Sequence, residues 1–161
     1  MKRSVVVARA KAVIGLPTIY ELGKGGFTAS KPTPGSKCDC SGFVAWVLGV
    51  SRKTNNPYYK NQNGGWFETS AVFKDATNTM GMVDKVEINA VKPGDLVVWP
   101  DGGGRQGHIG IVSVVEGLPK MVIHCSTGNY RKTGDAIQET PVDIFLNNNA
   151  IFAKVGWVED D

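Results

Sequence analysis

The chain has 161 residues, 42 % of them hydrophobic and 20 % charged, with a formal charge of +3. That length suits one folded unit over residues 1–161 with a proper core, and the hydrophobic content excludes a disordered chain. The basic residues are scattered, without the run of roughly five that marks a nucleic-acid arm, and no stretch approaches the roughly 18 apolar residues of a membrane-spanning helix, so neither nucleic acid nor membrane insertion is expected.

Val6, Val7, Ala10, Val13 and Ile14 recur at helical spacing and predict a helix over residues 3–14, ended by Gly15 and Pro17. Its apolar stretch Val-Val-Val-Ala is broken by Arg9 and Lys11 and falls short of the roughly 7 to 15 residues of a signal-peptide core. A chain made in the cytoplasm and exported by some other route is therefore expected. Residues 16–37, rich in Gly, Pro, Thr and Ser, predict a long loop, and long ordered loops are more often functional than idle. The segment 41–48 is apolar almost all round, with Phe43, Val44, Trp46, Val47 and Leu48, and predicts a buried helix stopped at Gly49.

Residues 51–66 are polar and rich in turn signals, and a further helix is expected at 68–78. Beyond it, VDKVEI, DLVVW, IGIVSVVE, MVIHCS, AIQET and IFAKVGWV are short β-branched runs separated by Gly, Pro, Asn or Asp, the pattern of an antiparallel sheet. Helices first and strands afterwards imply an α+β fold. Arg105 and Gln106, after the Asp-Gly-Gly-Gly loop at 101–104, are expected to form a mobile lip beside His108.

The three cysteines, Cys38, Cys40 and Cys125, do not suggest a disulfide framework, because their number is odd and residues two apart bridge poorly. A C-x-C pair is too short for the usual zinc knuckle, and no glycine-rich stretch fits a phosphate loop or dinucleotide fingerprint, so no metal and no other cofactor is expected. The only two histidines, His108 and His124, fall on neighbouring predicted strands with a Gly-Leu-Pro turn between them. If the helix beginning near Cys40 sets its N-terminus against them, the helix dipole and an imidazole would both favour a thiolate, and the second histidine would hold the first in one tautomer. Each residue has a plainer reading: a cysteine before a buried helix can be a small core residue, and a strand histidine can be structural. The coincidence of a helix-start cysteine with both histidines favours chemistry; Cys38 and Cys125 are read as structural.

Four blocks, DCSGFV at 39–44, PGDLVVW at 93–99, GHIGIV at 107–112 and VIHCS at 122–126, resemble in sequence and order the signature blocks of the NlpC-type cell-wall cysteine peptidases. The resemblance spans roughly residues 15–126. It implies a papain-like NlpC-type fold with the nucleophile helix packed on a C-terminal antiparallel sheet, Cys40 as nucleophile, His108 as general base and His124 as the residue that orients it. It also puts Tyr20, ahead of the nucleophile, and Asp39 and Ser41, flanking it, near the substrate, although the family's Tyr-x-x-Gly-Gly wording is stretched here and Asp39 and Ser41 would equally serve as helix caps.

The implied reaction is acyl transfer on peptidoglycan stem peptides, most often at the bond between D-glutamate and the diamino acid. An N-acetylmuramoyl-L-alanine amidase, a protein glutamine deamidase-like toxin and a non-catalytic binding module remain as alternatives. Delivery to the wall or periplasm would fall to a phage or a secretion system, and a toxin would be accompanied by an immunity protein that plugs the cleft.

Overall fold

In the computed structural model, which describes residues 1–161, helix α1 (Arg3–Lys11) is shorter than its apolar spacing predicts. Ile14 bonds back to Lys11 rather than one residue earlier, so residues 12–15 continue as tight turns that still bury Val13. Strands β1 (Ile19–Tyr20) and β2 (Lys37–Cys38) pair in parallel, with Tyr20 opposite Cys38. The predicted loop is thus gathered at its base, and Tyr20 is brought beside the start of the next helix.

That helix, α2 (Cys40–Leu48), begins where the Asp39 carboxylate accepts the Gly42 N–H at 2.9 Å and ends at Gly49, whose φ of 70° suits a glycine stop. All nine of its residues are buried. Gly42 is required: a Cβ there would run into the carbonyls of Lys24 and Gly25, so the 24–26 loop lies directly on the helix start. Helix α3 (Pro57–Asn63) occupies part of the stretch read as turns, because its Asn-Pro and Asn-Gly-Gly signals act as caps: Asn56 accepts the Tyr58 N–H, Pro57 opens the first turn and Gly64 closes the last. Helix α4 (Thr69–Asn78) matches the predicted 68–78 and is capped by Glu68, which accepts the N–H groups of Ser70 and Ala71.

The remaining elements are β3 (Val83–Val86), β4 (Leu96–Trp99), β5 (His108–Glu116), β6 (Leu118–Cys125), α5 (Thr127–Thr133), β7 (Ile137–Pro141), α6 (Asp143–Leu146) and β8 (Ile151–Val155). The strands form one antiparallel sheet in the order β3-β8-β4-β5-β6-β7, so the last strand enters between β3 and β4. The expected Gly-Leu-Pro turn narrows to Gly117, since Leu118 already pairs with Glu116. One face of the sheet carries Ile109, Ile111 and Ile123 into the main core with α1 and α2; the other buries Val112, Val122, Trp99 and Phe145 in a smaller cluster. Burial on both faces is why the central strands read as nearly continuous apolar runs. The fold is α+β, as the order of elements in the sequence implies.

Candidate active site

His108 opens β5 and His124 is the penultimate residue of β6, and the period-two alternation of strands turns both side chains to the face of Val112 and Val122. Between them lies Gly110, where a Cβ would sit 2.5 Å from Val122 Cγ1 and 3.1 Å from His124 Cβ. The missing side chain leaves the space in which His124 reaches His108. His108 Nε2 lies 2.7 Å from His124 Nδ1, and His124 Nε2 lies 2.7 Å from Thr140 Oγ1 on β7. Phe145 stacks on His108 with an interplanar angle of 18° and meets His124 edge-on, while Trp99 closes the other side of His108. Burial lowers the His108 pKa to about 3, helped by neighbouring His124, and lowers that of His124 to about 4. Both rings are therefore neutral near pH 7.

Cys40 is the first residue of α2 and is 3 % exposed. The backbone N–H groups of Ser41 and of Ile109, the residue after His108, are placed to stabilise a charge on its sulfur, as is Arg52. Burial and then the Asp39 carboxylate outweigh them and push the thiol up to about 12. This corrects the expectation of a ready-made thiolate: the helix start supplies its donors, but desolvation is larger, and in the resting protein both thiol and imidazoles are uncharged.

Asp39 is buried, and both its oxygens are engaged within the chain. Arg52 clamps it at 2.5 and 2.6 Å, the Gly42 and Gly23 N–H groups donate to it, and the same guanidinium donates to Ser41 Oγ at 3.0 Å and to the Lys24 carbonyl at 2.7 Å. The cluster locks the start of α2, the loop 23–25 and residue 52 together. Tyr20, half-buried in the field of Cys40, has its hydroxyl pushed up to about 12 by burial first, and that hydroxyl accepts the Gln106 side-chain amide at 2.8 Å.

Gln106 and Gly107 divide a surface cleft in two. One arm, about 250 Å³, lies between Tyr20, Trp99, His108 and Ser126; the other, about 220 Å³, is lined by Asp39, Cys40, Ser41, Arg52, Glu68 and Asp101. The lip expected to be mobile is tied down: Trp99 Nε1 donates to the Gln106 carbonyl at 3.0 Å, Gly107 N–H donates to Asp101 at 2.5 Å, and Arg105 bonds Asn148. No three His, Cys, Asp or Glu side chains converge as metal ligands would.

The structure thus joins His108 to His124, sets Cys40 against the strand that carries His108, and brings Tyr20, Asp39 and Ser41 to the same cleft. Sequence reading passed over Arg52, Thr140 and Phe145. They come from a polar stretch, a short strand and a four-residue helix that carry no motif, and only pairing and packing direct them here.

Residues 30–129, more than half of the chain, match the family model of the CHAP domain. The chain belongs to the CHAP domain family. A CHAP domain is a papain-like cysteine peptidase or amidase unit of cell-wall hydrolases, so the fold and the coarse activity, hydrolysis of peptidoglycan, follow from membership. The resemblance of the four sequence blocks to NlpC-type enzymes agrees with it. Cys40, His108 and His124 all fall inside the CHAP match, Tyr20 before it, and Thr140 and Phe145 after it. No curated protein matches the chain.

Proposed function

We propose that this CHAP domain cleaves the stem-peptide amide between D-glutamate and the diamino acid through a Cys40–His108–His124 thiol mechanism. The observation that carries the reading is the 2.7 Å contact of His108 Nε2 with His124 Nδ1, on a strand whose next residue, Ile109, presents its backbone N–H to Cys40 at the start of α2. Only one of those two nitrogens carries the shared proton. With it on His108 Nε2, the Nδ1 of His108 keeps a lone pair for the Cys40 thiol, and His124 carries its own proton on Nε2 toward Thr140.

Because thiol and imidazole start neutral, the proton moves from sulfur to His108 as the sulfur attacks the carbonyl carbon. The same proton then passes to the departing amine as the C–N bond breaks, leaving a thioester that water hydrolyses with His108 again as base. The backbone N–H groups at the start of α2 supply hydrogen bonds to the oxyanion. His124 stabilises the transient imidazolium of His108, as the third member of such triads does.

A short extended peptide crossing Gln106 and Gly107 would run from the arm lined by Cys40 to the arm lined by His108, with Tyr20 contacting it and Asp39 and Ser41 fixing the floor. A wall substrate implies action outside the cytoplasm after delivery by a phage or secretion system, and in a toxin setting an immunity protein would cover this cleft. The test is digestion of purified peptidoglycan and isolated muropeptides with the wild type and with Cys40→Ala, read by mass spectrometry. Products from the wild type alone, with masses of a D-glutamyl cut, support the proposal; free stem peptides with intact L-alanine would instead name an amidase. No product from well-folded wild type would sink the hydrolytic reading.

A further inference from the structure

The two cysteines that the mechanism leaves unused face each other. Cys38, at the end of β2, and Cys125, at the end of β6, are 87 positions apart in sequence, yet their sulfurs lie 3.3 Å apart and both are buried. They flank the proposed catalytic residues in the chain: Cys38 precedes Cys40 by two positions, and Cys125 follows His124. The Cys40 sulfur has the backbone N–H groups of Ser41 and Ile109 for partners, while the direct sulfur–sulfur contact is between Cys38 and Cys125. The loop above holds the pair in place. A Cβ at Gly25 would fall 2.6 Å from Cys38 Cβ, so the backbone there packs directly on Cys38 and limits its swing.

We infer that Cys38 and Cys125 are a disulfide site, closed when the chain folds in or enters an oxidising compartment, and that the bridge staples the start of α2 to β6. The chemistry is two thiol–disulfide exchanges with a small disulfide such as oxidised glutathione. The thiolate of one cysteine attacks the reagent, releasing one reduced thiol and leaving a mixed disulfide. The second cysteine, deprotonated in turn, attacks the protein sulfur of that mixed disulfide and releases the second reduced thiol. The two protein thiols lose two electrons and two protons, and the reagent gains both. During folding both thiols are open to the reagent; in the folded protein, Cys38 forms part of the wall of a cavity of about 390 Å³ beneath the 25–37 loop, which offers a route in. The inference does not depend on which bond the enzyme cuts.

The experiment refolds the full chain in oxidised and reduced glutathione, denatures it, alkylates free thiols and maps peptides by mass spectrometry. The expected product lacks the mass of two hydrogen atoms, takes one label on Cys40 where the reduced chain with its three free cysteines takes three, and yields a Cys38–Cys125 cross-linked peptide. Adding reductant should lower its thermal midpoint, whereas Cys125→Ser should show no response. Three labels, or a bridge that includes Cys40, would overturn the inference.

Discussion

Replacing Arg52 by Met tests whether the buried ion pair holds the start of α2. The Arg52 side chain is 4 % exposed and Asp39 1 %. The substitution removes two contacts to Asp39, one to Ser41, one to the Lys24 carbonyl and the guanidinium over the Trp66 ring, while keeping a long unbranched apolar side chain. It leaves a carboxylate in the interior with the Gly42 and Gly23 N–H groups and a long 3.4 Å contact from the Ser41 hydroxyl for partners. Breaking one side of a buried pair costs about 3–5 kcal/mol, because the surviving charge keeps its desolvation penalty. With a urea slope of about 2 kcal/mol/M, the midpoint should fall by about 1.5–2.5 M. Asp39→Asn in the Arg52→Met background removes the stranded charge but keeps a capping side chain, and should recover part of the loss. Arg52→Lys keeps a charge but loses the two-pronged geometry and should fall between. A drop below about 1 kcal/mol for Arg52→Met, or no recovery in the double variant, would refute the stranded-charge argument.

Thr140→Val removes the hydroxyl that faces His124 Nε2 while keeping the β-branched shape. A loss of about 0.5–1.5 kcal/mol in the transition state, up to roughly tenfold in kcat, is expected, with Thr140→Ser restoring most of it. Nitrogen NMR of the histidines should show a single tautomer in the wild type and a mixture in the valine variant; unchanged spectra would leave Thr140 a mere packing residue. The histidines also predict an acid limb to stability. Their folded pKa values, about 3 and about 4, lie below the ordinary value of 6.5, so between these limits the unfolded chain binds more protons. Their contribution is present in full above about pH 6.5 and is lost as pH falls toward 3. Urea midpoints measured from pH 7 down to 4 should fall accordingly, and His124→Gln should flatten the fall; a flat wild-type profile would contradict the burial of neutral rings.

The sequence alone was enough for the α+β order, the buried helix at 41–48, the six strands, and the placing of both histidines on neighbouring strands. Those features are local: apolar period, capping residues and glycine stops act within a few positions of one another. The short helices α3, α5 and α6 were not legible, since runs of four to seven residues carry too little periodicity to stand out from turns. The protonation of Cys40 also escaped the sequence, because a helix N-terminus and the neighbouring Asp39 can be read along the chain whereas the depth of burial, the largest cause, cannot. Tertiary structure alone set Tyr20 opposite Cys38, closed Arg52 on Asp39, brought Thr140 to His124 and Phe145 onto His108, and faced Cys38 with Cys125. Each of these contacts joins residues more than a dozen positions apart whose types are ordinary in themselves. Their meaning comes from register and packing, which the whole sheet and core determine together.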